Sequence, residues 1–206
     1  MFIVYGTFLI LLVSYGAAIM ALEILSSHLM APFFGGSIYI WGSIISSFLV
    51  HFSVGYVLGG YLSKRNSSFT HFSLFLLCAS LWILAIPKIY IPICEYLTET
   101  IDDIRLGSLL AMNLIFFVPV TIMASVAPFI IGSIPGSHQK RGFTAGLVLF
   151  ISTVGSFLGT NVTAFYLIDL FPVSRIIMGI GLYCLFITVI VLLLRIDRRL
   201  VPKERF

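Results

Sequence analysis

The feature that most constrains this chain is a long apolar run that recurs six times, at roughly residues 3–31, 38–62, 70–93, 106–133, 144–168 and 173–195. Each run supplies about the ~20 residues that a helix rising ~1.5 Å per residue needs to cross the hydrocarbon core of a bilayer. The runs are continuous rather than alternating, which excludes barrel strands. Sixty per cent of the 206 residues are hydrophobic and ten per cent are charged. That is more apolar surface than a soluble domain of this length can bury, so lipid must take the remainder. The sequence therefore predicts an all-α integral membrane protein, a single membrane domain over 1–206 with six transmembrane helices.

Charge position orients it. With the amino terminus inside, the inner loops and tail hold Lys64, Arg65, Lys140, Arg141, Arg195, Arg198, Arg199, Lys203 and Arg205, and the outer loops hold Lys88, Arg105 and Arg175. An excess of Lys and Arg marks the cytoplasmic side. The expectation is a multi-pass protein of the plasma (bacterial inner) membrane with both termini cytoplasmic. No basic residue precedes the first apolar run, and the run is too long for a signal peptide, so it reads as a retained helix. The basic tail, 196–206, reads as a topology signal and a contact for anionic membrane lipids, with no nucleic-acid role.

The two halves echo each other. Ala31-Pro32-Phe33-Phe34-Gly35-Gly36-Ser37 returns 96 positions later as Ala127-Pro128-Phe129-Ile130-Ile131-Gly132-Ser133. Val54-Gly55-Tyr56-Val57-Leu58-Gly59 returns 100 positions later as Val154-Gly155-Ser156-Phe157-Leu158-Gly159. Three spans per half place the second copy upside down, so the echoes predict a 3+3 inverted-topology repeat. Repeat one covers about 3–93, an outer linker about 94–105, and repeat two about 106–195. Glu95, Glu99, Asp102 and Asp103 read as solvated linker carboxylates rather than a metal site. Gly55 and Gly59, like Gly155 and Gly159, lie four apart and offer helix-packing grooves. On the second helix that ridge continues outward as His51, Ser47 and Ser43; a ridge on the fifth runs Ser152, Ser156, Thr160. The third and sixth helices lack such ridges and are expected on the lipid side.

Polar groups at membrane depth are costly and mark candidate sites. Glu23 has two readings, a hydrogen-bonded structural carboxyl or a proton or cation site. His51, near the middle of the second helix, is a packing residue or a proton relay. His28, five residues after Glu23, pairs with it only if the helix deforms before Pro32. Asn113, Thr160 and Asn161 fall in the outer half and form one polar vestibule with Glu23, or else clamp helices together. Pro32, Pro119 and Pro128 are helix-break or gate candidates, because each frees a backbone carbonyl. Cys78, Cys94 and Cys184 have no paired spacing and read as free thiols. No phosphate-cradling glycine loop, HExxH helix, GxSxG elbow or metal-spaced histidine set is present, so neither a catalytic residue, a cofactor nor a metal is expected.

The stretch carrying Glu23, His28, Pro32, Gly35, Ser37, Trp41, Gly55, Gly59 and Gly60, with the later Ser152-Thr153-Val154-Gly155-Ser156-Phe157-Leu158-Gly159-Thr160, resembles the membrane domain of the spermidine synthase-like proteins, the fused major facilitator/spermidine synthases. The resemblance runs from about Glu23 to Arg175. It implies a six-helix module similar to half of a major facilitator, with its first and fourth helices lining a cavity. The chain departs from the family at His28, where arginine is usual. The soluble aminopropyltransferase domain that follows the last helix in fused members has no counterpart in these residues, so the resemblance implies no enzyme. The expected function is a small transporter or transporter-like subunit for a small solute of the cationic, polyamine-like class, working by rocking of the repeats. The chain is expected either to act as a homodimer or to sit beside a soluble partner. Two alternatives stand beside this: a membrane anchor for a separately encoded soluble enzyme docked through Lys64, Arg65, Lys140, Arg141 and the tail, and an intramembrane lipid-handling enzyme using Glu23 with His28 or His51.

Overall fold

The computed structural model describes residues 2–65, 68–134 and 141–194. They form α1 (Phe2–Phe34), α2 (Ile38–Arg65), α3 (Phe69–Thr100), α4 (Ile104–Ala124), α5 (Val126–Ser133), α6 (Arg141–Val162), a π-helical turn (Thr163–Leu167), α7 (Ile168–Leu170) and α8 (Val173–Leu194). Six helical stretches are long and apolar enough to cross a membrane; α4 with α5 makes the fourth, and α6 through α7 makes the fifth. The protein is a multi-pass membrane protein built entirely of helices in its described residues. Of the basic residues expected to dock a partner, Lys64 is exposed, whereas the side chains of Arg65 and Arg141, all of Lys140 and the tail from Arg195 lie outside the described residues.

Two expected boundaries move. The first helix was expected to break at Pro32, yet α1 continues to Phe34 and the chain turns at Gly35, whose φ of 83° suits a residue without a side chain. Pro32 leaves the His28 carbonyl without its intrahelical donor, and the helix runs two residues further, where the Gly35 N–H closes it on the Ala31 carbonyl at 2.9 Å. The outer linker also shrinks, from about 94–105 to residues 101–103, because α3 runs on to Thr100. The hydroxyls of Thr98 and Thr100 bond back to the carbonyls of Cys94, Glu95 and Tyr96, and Asp103 caps α4 by accepting the Arg105 N–H at 2.9 Å.

The first and fourth spans form the centre, with 61% and 72% of their most apolar stretches buried against 17% for the fifth. α1 lies chiefly along α6, α2 along α4, and α3 against both α8 and α4. The third and sixth spans, expected on the lipid side for want of ridges, are not set apart in this way: the sixth, at 39%, is buried as much as the second, and the third, at 28%, more than the fifth. Glycine sets the closeness of the two central pairs. A Cβ at Gly55 would strike Thr121 and Ala124, and one at Gly59 would strike the Ser125 backbone. Likewise Gly155 lies against the Val13 backbone and Gly159 against that of Ala17. All four are buried, so their packing is spent inside the chain and not between copies.

The two prolines of the fourth span act differently. Pro119 deprives the Ile115 carbonyl of its intrahelical donor, and Trp82 of α3 replaces it, donating its indole N–H to Ile115 at 2.9 Å. The span continues through Pro119 without a break. Pro128 deprives the Ala124 carbonyl in the same way; the turn at Ser125 between α4 and α5 is irregular, its hydroxyl bonded back to Ile122 at 2.6 Å, yet its N–H still reaches the Thr121 carbonyl at 3.2 Å and its carbonyl still accepts from Phe129 at 3.0 Å, so the two run on as one span.

Candidate functional site

The irregular turn of the fourth span is where a cavity lies. It measures about 120 Å³ and is lined by Leu12, Tyr15, Gly16, Ile19 and Met20 of α1, Phe52 and Tyr56 of α2, Met123, Ala124, Val126 and Ala127 around the turn, and Leu149, Ser152, Thr153 and Ser156 of α6. Four spans therefore contribute, the two central ones and the two paired with them. Gly16 brings α6 close: Ser156 donates to its carbonyl at 3.3 Å, and a Cβ there would collide with the Ser152 carbonyl. The walls mix aromatic rings, thioethers and hydroxyls, and none of these lining side chains is charged.

Glu23 stands beside this cavity rather than in it. Residues three and four apart share a helix face, so Glu23 is one turn further along α1 from Met20 and Ile19, and two turns from Gly16. It is half-buried, and no described residue donates a hydrogen bond to its carboxyl. The reading of Glu23 as a hydrogen-bonded structural carboxyl finds no donor here. His28 is exposed and turned away, with Nδ1 at 3.2 Å from the Ser27 hydroxyl and 3.3 Å from the Ile24 carbonyl. Thr160 bonds to the Ser156 carbonyl and Asn161 to that of Phe157, both within their own helix.

Asn113 does not join them. It belongs to a second polar group, along the parallel contact of α2 and α4. There Ser43 meets Ser108 at 2.9 Å, the Asn113 amide donates to Ser47 at 3.2 Å and to the Leu109 carbonyl at 2.7 Å, and Asn113 Oδ1 lies 3.0 Å from His51 Nε2. Because both amide protons of Asn113 are engaged elsewhere, its oxygen faces the ring and His51 carries its proton on Nε2. His51 is fully buried, with Phe48 and Phe117 at ring-centroid distances of 5.8 and 5.3 Å. Of the residues expected either to form one vestibule with Glu23 or to clamp helices, Asn113 joins α4 to α2 through Ser47 and His51, while Thr160 and Asn161 bond within their own helix and none hydrogen-bonds to Glu23.

Several contributors carried no advance signal. Tyr15 reaches Thr188 of α8 at 2.6 Å, Ser14 reaches Tyr183 at 2.9 Å, and Trp82 serves Ile115 across 33 positions. Tyr56 and Phe52 were visible only as apolar helix residues. Cys94 and Cys184 are buried free thiols and Cys78 an exposed one. Comparison of the chain with protein-family models, with curated proteins and with solved structures finds no match.

Proposed function

We propose that the chain is a transporter-like membrane protein that carries a small cationic solute through the cavity at the irregular turn of the fourth span, as a relative of the spermidine synthase-like membrane domain. The observation that carries this reading is the cavity itself: it lies at the irregular turn of the fourth span around Ser125, it is lined by four spans, and an unpaired carboxyl stands one turn further along α1 from it. A carbonyl freed by proline, as that of Ala124 is by Pro128, is tolerated inside a span where it is buried in protein or lines a cavity, and transporter sites are built at such irregular turns. Glu23 supplies the charge that favours a cation, the rings of Phe52 and Tyr56 supply faces that accept one, and Ser152 and Ser156 supply hydroxyls. A solute would move as the two halves rock about this site, the halves being an inverted repeat.

Support for the repeat comes from the packing. The second-span glycines lie on the fourth span, and the fifth-span glycines lie on the first, so the halves exchange roles. Val13 and Ala17 then correspond to Thr121 and Ser125, which are 108 positions further on. The proline echo, at 96 positions, follows a different register, and Pro32 and Pro128 do different work. The repeat therefore rests on the glycines.

The test is uptake of labelled putrescine, spermidine and methylammonium into liposomes holding the purified protein. The expected result is uptake at least about tenfold above protein-free liposomes, lost on Glu23→Gln and on Ser152→Leu, which fills the cavity. Uptake unchanged by Glu23→Gln removes Glu23 from the mechanism, and no uptake of any solute overturns the reading.

A further inference from the structure

Two buried side-chain atoms among the described residues have no hydrogen-bond partner, His51 Nδ1 and Thr121 Oγ1. Both belong to the α2–α4 contact. His51 stands one turn before Gly55, and Gly55 lies against the Thr121 carbonyl. Phe117, whose ring meets the His51 imidazole edge to face, is one turn before Thr121 on α4. The two residues that carry these atoms therefore lie about one helical turn apart along the same contact.

Their chemistry is complementary. With its proton on Nε2 and held by Asn113, the His51 ring presents a bare lone pair at Nδ1. Thr121 presents a hydroxyl, and that hydroxyl is unusual in this protein. Threonines inside these helices return their proton to the carbonyl four residues back, as Thr98, Thr153, Thr160 and Thr188 do; Thr121 does not. A buried acceptor and a buried hydroxyl left unpaired on one helix contact are what an internal water satisfies.

We propose that His51 is a proton-binding station, served by a water held between His51 Nδ1 and Thr121 Oγ1. A proton arriving on that water is taken by the Nδ1 lone pair, and the neutral imidazole becomes imidazolium. The Nε2–H bond to Asn113 is kept, no bond to carbon changes, and loss of the same proton restores the starting state. The charge is received by the rings of Phe48 and Phe117. The elements packed against α2 are α1, α4 and α5. Their ionisable side chains among the described residues are Tyr5, Tyr15, Glu23 and His28 on α1 and Arg105 at the start of α4, and no hydrogen bond or ring contact joins any of them to His51. The proposal rests on this contact alone and stands or falls apart from any solute in the cavity.

The experiment is nitrogen NMR of histidine-labelled protein in lipid nanodiscs across pH, with the His51 signals identified by their loss in His51→Gln. The expected wild-type result is a neutral ring protonated on Nε2 that converts to imidazolium on acidification while the protein stays folded, with Nδ1 exchanging with water. Thr121→Val is expected to move the midpoint by at least about half a pH unit, a threefold change in proton affinity, and Thr121→Ser to restore it. A wild-type ring that stays neutral and shows no water exchange until the protein unfolds overturns the proposal. So does a Thr121→Val midpoint that matches wild type. The wild-type titration decides the matter even if a variant fails to fold.

Discussion

Glu23 and the packing glycines show how single residues set conflicting demands. A carboxyl at membrane depth without a donor is destabilising on insertion scales, where central acidic and basic residues cost at least ~2.5 kcal/mol. Glu23→Gln is therefore expected to raise the thermal unfolding temperature in detergent while it abolishes cation uptake. A lower unfolding temperature means instead that the carboxylate holds the fold together. The glycines are the opposite case, present for space alone. Gly59→Leu forces a side chain into the Ser125 backbone and is expected to cost at least about 1–3 kcal/mol, the usual range for overpacking. Gly60→Ala, one position on and with nothing within 4 Å of its Cβ, is expected to be neutral or stabilising by up to ~1 kcal/mol. Thermal unfolding of the two variants side by side checks the pair, and equal effects would refute the close approach of α2 to α5.

At the scale of elements, the fourth span carries two prolines in different surroundings, and Pro119 is the one whose freed carbonyl receives a substitute donor. Trp82→Phe removes the indole from the Ile115 carbonyl and is expected to cost about 1–2 kcal/mol, the price of an unmet buried acceptor. In a Pro119→Ala background the helix supplies its own N–H, so the same change should cost close to nothing. The double-mutant cycle would show a coupling of about 1 kcal/mol, and additive effects would remove the substitution from the account. Pro128→Ala returns a donor to the Ala124 carbonyl. It is expected to regularise the turn at Ser125, raise stability and reduce uptake; unaltered uptake would mean that the irregular turn is not needed for passage.

For the whole molecule, the expectation from the excess of Lys and Arg on one side, that the ends of the six-span bundle face the cytoplasm, is open to direct test. Gly36→Cys, in the α1–α2 turn, is expected to react with a membrane-impermeant maleimide in intact cells, and Lys64→Cys only after permeabilisation. The reverse pattern inverts the protein and moves Arg105 to the inner face. Covering the molecule also depends on this scale. The exposed surfaces of α3 and α8 carry Leu74, Phe75, Leu81, Leu182 and Phe186; those of α2 and α6 carry Leu49, Val57 and Phe157 but also Ser53, Tyr56 and Thr153, and Glu23 of α1 is half-buried. The serine and threonine hydroxyls there are met within their own helices, which leaves Glu23 as the group that depends on what lies opposite.

The number of spans, their approximate limits, the all-helical class and the positions of the close-packing glycines were legible in the sequence. The reason is that a helix in lipid must satisfy its backbone within its own segment, so length and apolarity are local properties. The ridge Ser43, Ser47, His51, Gly55, Gly59 was legible too, because spacing along one helix fixes a shared face. What faces that ridge was not. The pairing of Asn113 with His51 instead of Glu23, the Trp82 donor that keeps the span whole at Pro119, and the cavity at Ser125 all depend on how one helix is rotated and slid against another. Those two quantities are set by packing between residues tens of positions apart, and only the tertiary structure decides them.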